Sequence, residues 1–358
     1  MSAGSNSQLA TVRMTAYGVT SVYVSAASFS NWRWTNFVSE GLEHKIEELV
    51  ESSIYGYADE PPSHQGLTTA EGDIEFEPNP MAFGQFLRGY FGIGSRSTLC
   101  DPGSTGGNST VFSADGVYEY TFTPRQAAFD QSCYLDPYQV LIYRDVGSAF
   151  VFQDTVFNKL SVAIQAGQLV KATVGVMGRR VTRVDRTAVA SLVSSGGRPF
   201  VWDMASVQVG IGAGMNSLAA STVFEALNIN LEVPMEGVPL LDGTRFYGEM
   251  QKSDFRKTRF SGTITFRNQA EYDAFVAYEN RGLRVTFTNV NSSLLLGNPN
   301  SPFYFQMNYD IPQFKVTQYG VMVKNAQRIT ADFEGRGEYD SALGYAVQAK
   351  LRTVVASY

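Results

Sequence analysis

The residues most suggestive of chemistry are four acids at alternate positions, Glu71, Asp73, Glu75 and Glu77. Alternate residues of a β-strand point to the same side, so the four carboxylates share one face. A glycosidase needs two carboxylates in unequal environments within a lined cleft, which a uniform row does not provide. Three interpretations stay open: a calcium site, a solvated strand face, or the wall of a water-filled channel whose like charge repels a passing phosphate backbone.

Other motifs of catalysis or ligand binding are incomplete in this sequence. The glycine-rich run 210–214 lacks the Lys-Ser/Thr pair of a phosphate-binding loop. His44 and His64 have no histidine or cysteine at metal-ligand spacing. Cys100 and Cys133 are expected to be buried or idle thiols, and the sequence does not decide whether they form a disulfide. The sequence therefore predicts neither an enzyme nor a cofactor, and no catalytic or metal-binding residue is assigned.

Composition favours a folded chain rich in strands. The 358 residues exceed what one hydrophobic core usually serves, so two domains are expected. The net charge of −6 is concentrated between residues 40 and 77, which hold eleven acids and one base, and no basic stripe suited to nucleic acid occurs. No apolar run is long enough to span a bilayer, and the first residues lack a signal-peptide pattern. We expect synthesis in the cytoplasm and no membrane contact.

The chain contains an internal sequence repeat, which we call the echo. Gly72-Asp-Ile-Glu-Phe76 recurs 190 residues later as Gly262-Thr-Ile-Thr-Phe266, and each copy leads through a helix-like stretch to a glycine, Gly92 or Gly282. Such self-similarity predicts two copies of one structural unit. The predicted parts are a flexible N-terminal arm at 1–11, a first domain at 12–187, a linker at 188–199 and a second domain at 200–358.

Each echoed strand precedes a predicted short helix. In the first unit Asn79 is expected to cap the helix, Pro80 to begin it and Gly92 to end it. Its apolar stripe is Phe83, Phe86, Leu87 and Tyr90. The second helix has a predicted capping box, Asn268 with Glu271, and an apolar stripe of Tyr272, Phe275 and Val276.

Between these elements, residues 42–55 are read as a strand, although their periodicity also fits a helix. Residues 55–72 and 93–116 are read as loops, because of Pro61-Pro62 and of abundant glycine and serine respectively. The connection 234–257 matches no predicted element.

The order and spacing of these features resemble the tail tube proteins of long-tailed bacteriophages, in their two-domain form. The resembling segments are residues 72–92, 118–124 and 157–178 in the first half, and 224–232 and 260–282 in the second. The resemblance implies a mainly β protein made of two tandem β-sandwich or β-barrel domains, each with one short α-helix. It also implies that subunits form rings, and that rings stack into a hollow tube through which the genome is ejected into the host.

With two units per chain, three chains would form a pseudo-hexameric ring in the tail of the virion, and chain size favours a long non-contractile tail. The implied partners are further copies of the chain, the tape-measure protein, the tail terminator and distal tail proteins, and double-stranded DNA that passes without specific binding. We predict that Glu71, Asp73, Glu75 and Glu77 face the lumen. The equivalent face of the second unit is Ser261, Thr263, Thr265 and Arg267, so the wall would alternate acidic and near-neutral sectors.

Two other functions remain open. One is a β-sandwich binding module for carbohydrate or protein, for which Trp32 and Trp34 could provide an aromatic platform, although core packing suits them better. The other is a tail-tip or terminator component of the virion, which forms a single ring and does not polymerise.

Overall fold

The fold was derived from a computed structural model of the chain. The structure describes residues 11–16, 33–53, 56, 59–92, 94–100, 105–106, 110–111, 116–126, 135, 137–142, 144, 148–184, 198–211, 215, 217–267, 269–289, 296–298, 301–322 and 329–355. Residues 1–10 of the predicted arm, 188–197 of the predicted linker, Trp32 and Cys133 lie outside these ranges.

The described chain is mainly β, as predicted. The strands of its first half are β1 Thr11–Ala16, β2 Arg33–Asn36, β3 Ser39–Glu40, β4 Glu43–Val50, β5 Ser63–Phe76, β6 Gly94–Cys100, β7 Thr105–Gly106, β8 Thr110–Val111, β9 Val117–Phe122, β10 Tyr138–Ile142, β11 Ala149–Gln165, β12 Lys171–Gly178 and β13 Arg180–Val184. Helix α1, Phe83–Phe91, lies between β5 and β6.

The second half repeats this composition. After a 3₁₀ turn at Trp202–Met204, its strands are β14 Ala205–Ile211, β15 Ala219–Ser221, β16 Phe224–Glu232, β17 Met235–Pro239, β18 Tyr247–Lys252, β19 Lys257–Thr265, β20 Arg281–Asn289, β21 Leu296–Asn298, β22 Ser301–Phe303, β23 Phe305–Met322, β24 Thr330–Gly337 and β25 Gln348–Thr353. Helix α2, Ala270–Val276, lies between β19 and β20.

Two long strands give both halves the same plan. The first part of β11 pairs with β10 and β13, and its second part pairs with β12, which in turn pairs with β5. Likewise the first part of β23 pairs with β20 and β25, and its second part pairs with β24, which pairs with β19. The echoed strands β5 and β19 therefore hold the same place in their halves.

The two halves are joined by antiparallel strand pairs. Strand β11 pairs with β16 along seven residues, which makes one continuous run of strands β4, β5, β12, β11, β16, β19, β24 and β23. We call this run the joined sheet. Among the described residues β4 and the second part of β23 each have a strand on one side only, so the barrel form of our prediction is wrong for a single chain. The sheet is open, which is consistent with β-sandwich domains.

Helix α1 confirms its predicted stripe. Phe83, Phe86, Leu87 and Tyr90 are all buried, and Phe86 stacks on Phe76 with ring centroids 4.3 Å apart. Gly92 ends the helix at φ 80°, a left-handed conformation that glycine adopts without strain, and its N–H donates to the Arg88 carbonyl at 2.7 Å.

The start of α1 differs from the prediction. The helix begins at Phe83, three residues after Pro80, and its N-cap residue Ala82 makes no side-chain capping bond. Asn79 instead closes the preceding turn: its Oδ1 accepts the Met81 N–H at 2.8 Å, and its carbonyl accepts the Phe83 N–H at 2.9 Å.

Helix α2 corrects two predictions. Tyr272 and Val276 of the predicted stripe are exposed, while Ala274 is buried and Phe275 stacks on Tyr319. Gln269, without a side-chain bond, is the N-cap residue, and Asn268 of the predicted capping box lies outside the described residues. Gly282, the glycine to which the second copy leads, lies within strand β20. With seven residues α2 makes only about two turns, so it buries fewer apolar side chains than α1.

Two segments that were predicted as loops contain strands, and so does a third that matched no predicted element. Strand β5 begins at Ser63 and forms a hairpin with β4, within the predicted loop 55–72. Strand β6 pairs with β9 within the predicted loop 93–116, and β9 extends the second half by pairing with β25. The unmatched connection 234–257 is a hairpin of β17 and β18. Residues 42–55 contain a strand, β4, as predicted in preference to a helix.

Candidate lumen-facing surface

The acid row lies on the uncovered face of strand β5. Ile74 and Phe76 are buried in the core, at 0% and 1% exposure, while Glu71, Asp73 and Glu75 point to the other side. Glu77 follows the last residue of the strand and is half-buried. The structure thus brings three of the four predicted acids onto one strand face and places the fourth just beyond its end.

Lysines from two neighbouring strands pair with the acid row. Lys171 of β12 donates from Nζ to Glu75 Oε1 at 2.7 Å. Lys159 of β11 reaches across β12 to Asp73, with Nζ 3.6 Å from Oδ2. This second contact crosses Gly175, which lies opposite Asp73 on β12 and has no side chain to block it. The row is therefore partly neutralised and not a bare block of negative charge.

The same pairing changes proton affinities. The hydrogen bond from Lys171 lowers the pKa of Glu75 below its ordinary value, against a smaller opposing effect of burial. The Glu75 carboxylate raises the pKa of Lys171 in return. Both groups therefore stay charged through neutral pH, as a stable exposed ion pair requires.

In the second half the equivalent face is polar and hydrogen-bonded. Thr263 Oγ1 donates to Asp332 Oδ1 of β24 at 2.7 Å, and Thr265 Oγ1 donates to Glu225 Oε1 at 2.5 Å. Arg267 lies two residues beyond the end of β19, is exposed, and donates to Thr222 Oγ1 at 3.3 Å. Carboxylates that the echoed strand lacks are thus supplied by its neighbours in the sheet.

Gly72 and Gly262 occupy equivalent positions, and the same structural reason explains why both are glycine. A Cβ on Gly72 would lie 2.1 Å from the Gly41 carbonyl oxygen, and a Cβ on Gly262 would lie 2.4 Å from the Ala226 carbonyl oxygen. Each position faces the backbone of the strand segment before it, so a side chain there would push the two apart. The repeated glycine marks a close approach of backbones and not a ligand site.

A groove of about 610 Å³ opens beside the acid row. Its charged lining residues are Glu43, Lys45, Glu71, Asp73, Lys159 and Glu232. Within the described residues, no group of three or more histidine, cysteine, aspartate or glutamate side chains is arranged to hold a metal ion. In the same residues, no helix is long and apolar enough to cross a membrane.

Sequence reasoning missed Lys159 and Lys171. The signal was present, because Lys159-Leu-Ser-Val and Lys171-Ala-Thr-Val both alternate polar and apolar residues with the lysine on the polar side. Which strand lies beside β5 depends on the order of strands in the sheet, and one sequence does not give that order.

Comparison with known proteins gives a family match and a structural similarity. The chain matches a family model described as phage tail tube protein over residues 4–337. Among solved structures it is similar to one titled "Crystal structure of Hcp protein", at 13% identity and a TM-score of 0.23, over 40% of this chain and 97% of the other. A TM-score of this size does not define a shared fold. A search of curated proteins returns no match.

The family match over nearly the whole chain identifies a structural component of a phage tail tube, and the mainly β fold fits that class. The chain belongs to the phage tail tube protein family.

Proposed function

We propose that this protein polymerises as stacked rings into the hollow tail tube, and that the uncovered face of the joined sheet lines the lumen through which the genome is ejected. One observation supports this most: the β11–β16 pair places the polar faces of both halves on one continuous surface, while the opposite face is buried in the core. A tube wall needs such a surface, wet on one side and packed on the other.

The charge of this surface suits a passage for DNA. Lys159 and Lys171 pair with acids at 3.6 and 2.7 Å, so these two cations are not free to hold phosphates. Glu71 lies on the same strand face as Asp73 and Glu75 and adds negative charge there, which disfavours adhesion of the backbone. The genome would therefore pass without specific binding.

The repeated plan of the two halves also suggests the ring. Each half would form one sector, and three chains would close a pseudo-hexamer, since closed symmetry is the rule for oligomers. We propose the tape-measure protein inside the tube, with terminator and distal tail proteins at its ends. Assembly would follow synthesis in the host cytoplasm, and the tail would be long and non-contractile.

Negative-stain electron microscopy of the purified protein tests this proposal. Long hollow tubes are the expected result. A single ring would favour the terminator or tail-tip role, and monodisperse monomers that bind sugar would favour a binding module; either result would overturn tube formation.

A further inference from the structure

At the junction between the two halves, an edge strand of one half pairs with an edge strand of the other. In it Leu160 of β11 lies opposite Leu231 of β16, and Val162 lies opposite Ile229. All four side chains are buried, with exposures of 0 to 1%. In the joined sheet, the outermost strand of the first half, β11, thus meets the outermost strand of the second half, β16, through backbone pairing and a row of apolar contacts.

The echo identifies which residue of the second half corresponds to Leu160. Ile74 and Ile264 are equivalent, and they lie opposite Val174 and Ala331 respectively. Val174 in turn lies opposite Leu160, and Ala331 lies opposite Val321. Val321, on the second part of β23, is therefore the counterpart of Leu160.

Leu231 likewise has a counterpart in the first half. Leu231 lies opposite Thr258 on β19, and the residue 190 positions earlier is Thr68 on β5. Thr68 lies opposite Ile46 on β4. Ile46 is therefore the counterpart of Leu231.

These two counterparts are exposed where their equivalents are buried. Ile46 is 55% exposed and Val321 is 42% exposed. Their strands, β4 and the second part of β23, each leave one edge unpaired in the described part of the chain. The neighbouring residues Thr68 and Ala331, which lie opposite them within the chain, are buried. The two exposed side chains thus lie on the core side of the sheet, as Leu160 and Leu231 do.

We propose that the occupant of both edges is a second copy of this chain, whose β4 pairs antiparallel with the second part of β23 so that Ile46 lies opposite Val321. This register rests on the proposed tube, since it describes how neighbouring chains of a ring join. It repeats between chains the junction that β11 and β16 make within one chain. Glu43, Lys45, Glu47 and Glu48 on β4 provide the charged side chains that keep such an edge from pairing indiscriminately before assembly.

Engineered cysteines test the register directly. With Cys100 and Cys133 replaced by serine, the double variant Ile46→Cys, Val321→Cys is assembled, oxidised and run on a non-reducing gel. We expect a ladder of covalent multimers whose longest species contains as many chains as one ring. A mixture of the two single variants should stop at dimers, because each chain then carries one reactive site.

The matched control is Leu49→Cys with Val321→Cys. Leu49 lies on the same strand and is as exposed as Ile46, at 52%. It is three residues away, about 10 Å along a strand, whereas a disulfide needs Cα atoms within about 7 Å. This pair should give no ladder.

Microscopy of the same samples separates the two levels of failure. Tubes without the Ile46–Val321 ladder, or with an equal ladder from the Leu49 control, would overturn this register and leave the tube intact. Absence of tubes from the cysteine-free parent, together with absence of the ladder, would overturn both.

Discussion

The echoed glycine offers a sharp test of how the fold is held together. In Gly262→Ala the new Cβ would lie 2.4 Å from the Ala226 carbonyl oxygen and 3.0 Å from a ring carbon of Phe333. Relief requires β16 and β19 to separate by about 1 Å, which costs about 1–3 kcal/mol as overpacking. One weakened ladder hydrogen bond adds about 1 kcal/mol. We therefore expect the free energy of unfolding to fall by about 2–4 kcal/mol.

Urea unfolding followed by tryptophan fluorescence measures this loss, at protein concentrations where the chain does not assemble. With a slope of about 3 kcal/mol per molar urea, the midpoint should fall by about 1 M. The control is Gly320→Ala, also in a strand, where an added Cβ would meet nothing within 4 Å. If the two variants unfold within about 0.5 kcal/mol of each other, an effect as small as that of an ordinary surface substitution, the close approach does not explain the repeated glycine.

Two further predictions concern the helices and the acid row. Leu87→Ala, at a fully buried position, should lower the free energy of unfolding by about 2–5 kcal/mol, whereas Val276→Ala, at a position 64% exposed, should change it by less than about 0.5 kcal/mol; equal effects in urea unfolding would contradict the difference between the helices. Lys171→Gln should raise the pKa of Glu75 towards its ordinary value, because the hydrogen bond that lowers it is lost, and carboxyl NMR titration should show no such change in Lys159→Gln. In the parent chain the depressed pKa means that this pair contributes stability above the ordinary glutamate pKa and loses it as pH falls through the lowered value. In Lys171→Gln, the free energy of unfolding should therefore depend less on pH in this range.

Structural features that depend only on nearby residues could be predicted from local sequence patterns. The alternation around Ile74 gave the core side of β5, and the spacing of Phe83, Phe86 and Leu87 gave the buried face of α1. Gly92 was found for the same reason, because a helix end needs a residue that accepts positive φ. These features follow from strand and helix periods and need no knowledge of the rest of the chain.

Features set by distant partners were missed. The outer half of β5, from Ser63, buries only the small residues Gly66, Thr68 and Ala70 on its core side, so its sequence shows no apolar alternation. Strand β6 consists largely of small polar residues and is held by pairing with β9. The contact of Lys159 with Asp73 depends on β12 lying between them with Gly175 at the crossing. Strand order in a sheet is a long-range property, which one sequence without homologues does not reveal.

The most direct test of the account is a cryo-electron microscopy reconstruction of the assembled tube. We predict that the uncovered face of the joined sheet lines the lumen, with Glu71, Asp73 and Glu75 pointing inward beside Lys159 and Lys171, and with β4 of one chain next to β23 of another. A tube in which these acids point outward, or in which another surface of the chain lines the channel, would contradict the account.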